Sequence, residues 1–300
     1  MKKERRKKGT GRSQRNFIIC GLTPIMILFF VFSVIPIIYS VVMSLFNYNG
    51  FPHPPFVGIK NYVMLFHDSE FLGALKNTVF FVVIAVVLNI CIATFLAVLV
   101  KSLKKTKLRG FFRGWFFLPA VVPMVAVCYV WLIMFDPANG IINQVLMLLG
   151  MGSPVNWLND TRTALMCIVV VTLWCDLGYN LVIIMAGLDS IPATFLEAAQ
   201  IDGANSVYRF FKITLPLMAR NMMFVGIMTS ISYFQVFAQV QIMTQGGPDN
   251  GTNVIGLNIY NYAFRYSQMG YASAMAVVML GIILVISLVQ LKLGKTDWEY

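Results

Sequence analysis

The stretch EAAQIDGANSVYRFFKITLPLM, residues 197–218, lies between two long apolar segments yet carries Glu197, Asp202, Arg209 and Lys212. Upstream, Ser190 is placed to cap a helix and Pro192 to occupy its first turn, where a missing N–H costs nothing. Glu197 then falls early in that helix, and Ala198 and Ala199 leave a face that a partner surface can approach closely. Asp202-Gly203 breaks the run, because glycine accepts backbone angles that other residues resist. A second helix over about Asn205 to Thr214 carries Val207, Phe210, Phe211 and Ile213, and Leu215-Pro216 turns the chain back. The pattern is helix, bend, helix: a small polar hook. Such a hook either rests on lipid as an amphipathic helix or docks into a protein groove. The small-residue face and the acid at Glu197 favour the groove, since a lipid-resting helix is rimmed by Lys, Arg and Trp.

Outward from the hook, the 300 residues are 58% hydrophobic and 12% charged, about half the charged share of a soluble domain. Several apolar runs exceed the ~18 to 20 residues needed to cross a bilayer. They do not alternate apolar with polar, which excludes barrel strands. The fold class is all-α, a polytopic membrane protein with six transmembrane helices. The spans are read at about 17–45, 79–100, 115–135, 163–188, 221–243 and 269–291, the first and third carrying two prolines each (Pro24, Pro36; Pro119, Pro123). The first follows a basic head, but its apolar stretch is too long for a signal peptide and no small-residue cleavage site follows, so it reads as a retained anchor. The domains are a basic tail over 1–16, a six-helix membrane domain over 17–291 with the hook in the loop 189–220, and a short tail over 292–300.

The net charge of +11 is distributed by side. Nineteen of the 23 Lys and Arg fall in 1–16, 101–113, 189–220 and the tail after 291; four, Lys60, Lys76, Arg162 and Arg265, fall in the alternate loops. Positive residues stay on the cytoplasmic side, so both termini and the hook are expected there, in a cell membrane. Charge abutting apolar spans points to membrane lipid, not nucleic acid. The outer loops differ in texture: NYNGFPHPPFVGIKNY (47–62) is turn-rich, GIINQVLMLLGMG (140–152) reads as a short amphipathic surface helix, and TQGGPDNGT (244–252) as a tight turn.

Polar residues inside spans are costly unless they face the bundle interior or water. Thr172, Asp176 and Asn180 share one face of the fourth span, and Ser232, Gln235 and Gln239 one face of the fifth. They read either as a lining that meets the hydroxyls of a passing solute or as hydrogen-bonding glue between helices. Trp174, Tyr179, Tyr233 and Phe234 are near enough to stack on a ring, and Asn89 reads as glue. The five cysteines all sit in apolar segments without metal-ligand spacing. No catalytic constellation, metal site or phosphate-binding G-x-x-x-x-G-K-[ST] run is found, so the chain is expected not to be an enzyme and to bind no cofactor itself.

The run E-A-A, D-G-A, then an aromatic and I-x-L-P resembles the EAA loop of permease subunits of ABC importers. Glu197, Ala198, Ala199, Asp202, Gly203, Ala204, Phe210, Ile213, Leu215 and Pro216 stand at its positions. FVGIKNYVMLF (56–66), ALKNTVFF (74–81), AGLDSIP (186–192), TQGGPDNGT (244–252) and YNYAFRYSQMGYASAMA (260–276) resemble the carbohydrate branch, the maltose and glycerol-phosphate permease type. One position departs: Arg220 stands where the family often has a second proline. The resemblance implies that the hook is a coupling helix seated in a cytoplasmic ATPase. ATP and Mg would sit on two such ATPase subunits. It also implies a second homologous permease, an extracellular or periplasmic binding protein, and inward transport of a sugar or oligosaccharide. Glycerol phosphate or another non-sugar solute is the alternative within the family, and an ion-gradient-driven secondary transporter the alternative outside it. A phosphate substrate favours cations in the pathway, and none lies within spans two to five as drawn.

Overall fold

A computed structural model describes residues 10–150 and 153–294, with side chains from Arg15 onward. Most of the expected basic head and of the tail after 291 lies outside them. Among the described residues the elements are helical, with one isolated antiparallel bridge between Phe46 and Phe56. The chain divides into two compact units. One is built from the residues up to Leu65 together with Tyr262–Val277, the other from Phe66–Asn261 and the residues from Val278 on.

In the first unit α1 (Thr10–Phe29), a π-helical turn (Phe30–Val34) and α2 (Ile35–Met43) form one apolar rod, of which Arg15–Met43 is long enough to cross a membrane. The π turn ends two residues before Pro36. A proline ring collides with the carbonyl four residues back, and a widened turn relieves that collision. The turn-rich segment after α2 folds back on itself: Val57 N donates to the Leu45 carbonyl at 2.9 Å and Asn47 N to the Pro55 carbonyl at 2.9 Å. Asn61, early in α3 (Lys60–His67), donates to the carbonyls of Ser44 (2.8 Å) and Phe46 (3.0 Å) and so fixes that fold. Gly270 approaches the same segment, its N–H donating to the Tyr48 carbonyl at 2.8 Å; any Cβ there would collide with the Phe46 carbonyl.

The second unit starts at α4 (Ser69–Ser102), capped by Asp68, whose Oδ1 accepts from Glu70 N at 2.9 Å. There follow α5 (Thr106–Val121), α6 (Met124–Met134) and α7 (Ile141–Leu148). Next come α8 (Ala164–Ser190), α9 (Ala193–Ile201), α10 (Ser206–Arg209), α11 (Leu215–Leu217), α12 (Ala219–Phe234), α13 (Ala238–Met243) and α14 (Ile255–Tyr260). The last helix, α15 (Met269–Leu293), continues from one unit into the other. α8 is the centre, packed against α4, α5 and α12. Ala93 and Ala97 of α4 and Leu181 and Ile184 of α8 are fully buried together with Val225 of α12. Small residues set the spacing, as they do where helices meet in lipid: a Cβ on Gly178 would strike the Phe116 backbone of α5, and one on Gly187 would strike the Asn221 side chain of α12.

Five helices are long and apolar enough to span, and α5 with α6 makes a sixth candidate bent by 94°. The all-α, six-span expectation holds in that form, with the third and fifth spans broken along their length. In the third, Pro123 forces Val122 into an extended conformation (ψ 133°), and α5 starts at Thr106, well inside the basic segment assigned to a loop. In the fifth, α12 ends at Phe234 and the chain is irregular until α13. Gly256 lies so close to the Val236 carbonyl that a Cβ would sit 2.7 Å from it, so α14 packs into the break.

Candidate functional site

The hook is α9, a turn, α10, a π-helical segment (Phe210–Thr214) and α11, running into α12. Its bend has a specific chemistry. Gly203 has φ +80°, the left-handed region. Its N–H donates to the Gln200 carbonyl at 3.1 Å, and the next N–H, of Ala204, to the Ala199 carbonyl at 2.9 Å. That pair is the Schellman closure of a helix C-terminus, and it satisfies carbonyls that would otherwise lack partners. Asn205 then caps α10, its Oδ1 accepting from Tyr208 N at 2.7 Å. No atom stands within 4 Å of where a Cβ on Gly203 would lie, so the outside of the bend is open.

Two local expectations change. Ser190 does not cap α9: it is the last residue of α8, its hydroxyl donating back to the Gly187 carbonyl at 2.7 Å, and Pro192 takes the capping position without a side-chain bond. Leu215-Pro216 does not turn the chain back. Pro216 lies in the first turn of α11, where its missing N–H is harmless, again two residues after a π segment, and Met218 N donates to the Thr214 carbonyl at 3.0 Å to carry the helix forward.

The hook's faces are distinct. Glu197, Ala198, Asp202 and Gly203 are exposed, and Ile201 beside them is 87% exposed. Ala199 is turned inward and buried; Phe210, Ile213 and Leu215 are half-buried, Ala204 likewise, and Pro216 is exposed. Ile201 thus lies bare beside an acid and a small residue on the outside of the hook. Composition alone did not reveal Ile201, because its exposure depends on which face α9 buries. The hook's base is anchored by Lys101 at the end of α4. Its ammonium donates to the Leu188 carbonyl and stands 3.2 Å from Asp189 Oδ1, so a cation meets the C-terminus of α8. Arg109 Nη2 donates to the Lys101 carbonyl at 2.7 Å and adds α5 to the joint.

Farther along α8, toward its start, the predicted polar residues separate into two groups. Asn180 Nδ2 donates to Asn89 Oδ1 (2.6 Å) and Thr229 Oγ1 (2.9 Å), and Asn89 Nδ2 donates to the Tyr233 hydroxyl (2.9 Å). α4, α8 and α12 are thereby tied through one buried network. Asp176, half-buried, faces the same Tyr233 hydroxyl. Thr172 gives its proton to the Ile168 carbonyl (2.9 Å) and accepts from Gln239 at 3.4 Å. Ser232 and Gln235 are exposed. The expected single face of Ser232, Gln235 and Gln239 does not form, because the helix breaks after Phe234 and carries Gln239 into the packing. Tyr233 and Phe234 are buried and closed to ring stacking in this conformation; Trp174 and Tyr179 are exposed.

At the far end of α4 the turn after α13 is clamped down. Thr244 and Thr252 share a hydroxyl–hydroxyl bond of 2.7 Å, Asn77 Nδ2 donates to the carbonyls of Asn250 and Asn253 at 2.9 Å each, and Ile255 N donates to Thr78 Oγ1 at 3.0 Å.

Residues 89–295 match the family described as "Binding-protein-dependent transport system inner membrane component". Among similar proteins, the probable ABC transporter permease protein YurN of Bacillus subtilis (strain 168) is 38% identical over 281 residues, 93% of this chain and 96% of that protein. The lactose transport system permease protein LacF of Rhizobium radiobacter is 35% identical over 273 residues, 90% of this chain and 91% of that protein. Among solved structures, a chain of a bacterial alginate ABC transporter, in complex with an alginate pentasaccharide-bound periplasmic protein, superposes with a TM-score of 0.82 at 20% identity. That superposition covers 95% of this chain and 96% of the other, a likeness of fold.

Proposed function

The chain belongs to the family of binding-protein-dependent transport system inner membrane components, and from that premise we propose that it is a membrane-spanning permease subunit of an ATP-driven importer of a sugar or oligosaccharide. The observation that carries the reading is the hook: a rigidly closed bend with an open outer face, rooted at its base in the ends of α4, α5 and α8. A force on such an element is passed to three membrane helices at once. The partners are two cytoplasmic ATPase subunits, which hold the ATP and Mg, a second homologous permease, and a sugar-binding protein on the outer side. In this reading the hook and both termini lie in the cytoplasm, the side the charge asymmetry favours.

Glu197 pairs with a cation of the ATPase, while Ala198, Ile201 and Gly203 fill its cleft. Closure of the ATPase pair on ATP draws two hooks together and tilts α8 and α12. The solute route runs past Asp176, Ser232 and Gln235, whose oxygens and amide meet sugar hydroxyls, with Trp174 and Tyr179 as stacking surfaces. Thr172, Asn180 and Gln239 hold that wall in place by the bonds described. A sugar is favoured over glycerol phosphate because the wall carries no cation and because the relative LacF is by its name a lactose permease. The test is purification with the natural partners and a screen of sugars, presented on the binding protein, for ATP hydrolysis. One sugar class should stimulate hydrolysis several-fold; stimulation by an ion gradient alone, with ATP irrelevant to uptake, overturns the assignment.

A further inference from the structure

We infer that the crevice between α4 and the second half of the hook is a binding site for an anionic phospholipid, with an acyl chain along α4 and the phosphate on Arg209. The crevice is two adjoining cavities. The larger, about 680 Å3, runs along Ile90, Thr94 and Val98 of α4 and is flanked by Val207, Phe211 and Met222. The smaller, about 390 Å3, shares Val98, Ser206 and Phe210 with it and holds Lys101 and Arg209.

The larger cavity suits hydrocarbon and nothing polar. Of its polar groups, the Thr94 hydroxyl is turned to Met222 Sδ at 3.9 Å and Ser206 Oγ accepts from Arg209. Ile90 to Val98 spans about 12 Å of helix at 1.5 Å per residue. That is less than half of the ~30 Å hydrocarbon core, the depth of one leaflet. The groove therefore matches a lipid tail in its own leaflet rather than a helix that crosses both.

The smaller cavity supplies the charge. Lys101 is already neutralised by Asp189 at 3.2 Å. Arg209 is not: it bonds two neutral oxygens, Gln200 Oε1 (3.2 Å) and Ser206 Oγ (3.3 Å), its Nε is buried without a partner, and no carboxylate pairs with it among the described residues. A guanidinium left unpaired at the mouth of an apolar groove, in a leaflet whose surface is anionic, matches a phosphate diester. Arg209 lines the smaller cavity together with Lys101 of α4 and Leu188 of α8. A lipid seated there wedges the π segment of the hook against α4.

This rests on the reading that the hook lies at the inner leaflet. It is tested without ATP or sugar, so its failure is separable from failure of the importer assignment. The full chain, purified with its partners, is incubated with phosphatidylcholine vesicles with or without phosphatidylglycerol, and retained lipid is read by native mass spectrometry. Phosphatidylglycerol should be retained over phosphatidylcholine. Arg209→Gln should weaken retention about fivefold, the equivalent of ~1 kcal/mol per cation at an anionic surface. Arg209→Lys should keep most of it, and Cys91→Trp, at an exposed position on the groove wall, should lose it by filling the space. Equal retention of both lipids, retention unchanged in Arg209→Gln, or cross-linking of position 207 to another permease subunit in place of lipid overturns the proposal.

Discussion

Asn180 and Gln235 look alike as polar residues in apolar spans, but the structure gives them different work. Asn180 is 4% exposed and bonded to Asn89 and Thr229, so it joins three helices. Asn180→Leu leaves Asn89 Oδ1 and the Thr229 hydroxyl without that partner. Each interhelical bond in a membrane is worth about 0.6 to 1.7 kcal/mol, so the purified protein should lose about 1 to 3 kcal/mol of stability, read as a lower Tm in detergent. Gln235 is exposed on the proposed solute route. Gln235→Leu should leave Tm within experimental scatter while uptake falls several-fold; the opposite pattern in the two variants would exchange their roles. Both residues were visible in the sequence. Which one packs and which one faces outward was not, because the 3.6-residue period assumes an unbroken helix and α12 stops one residue before Gln235.

At the scale of elements, the hook was the most legible part of the chain. Asp202-Gly203 signalled a bend, and the bend is there with Gly203 at φ +80°. What the sequence did not reveal was how the helices carry their prolines. Pro36 and Pro216 each follow a π-helical segment by two residues, so neither breaks its helix into a turn. The third span differs, since Pro123 follows an extended residue and the rod bends by 94°. The choice between widening and breaking depends on packing that no local pattern records. For the hook, Gly203→Val places a β-branched residue in the left-handed region, at a cost above the ~1 to 2 kcal/mol of an ordinary side chain. Asparagine is tolerated there. Uptake should be lost in Gly203→Val and partly kept in Gly203→Asn, with equal amounts of both in the membrane fraction. Full uptake by the valine variant would remove the bend from the mechanism.

Over the whole molecule, apolar length and the placement of charge already indicate a multi-pass membrane protein, and the five spans plus one bent pair agree with that. The charge asymmetry favours a cytoplasmic side for the hook, and its open face leaves room for a partner, so both support one proposal: residues 197–203 are gripped by an ATP-hydrolysing subunit. The most direct test is site-specific photo-crosslinking from position 198 in native membranes, with Leu148 of α7, itself 87% exposed, as the control position. The account predicts an adduct between position 198 and a nucleotide-binding subunit, changing in yield with ATP, and none from position 148. An adduct from 198 to lipid alone, or to no protein while the assembly is active, would contradict it.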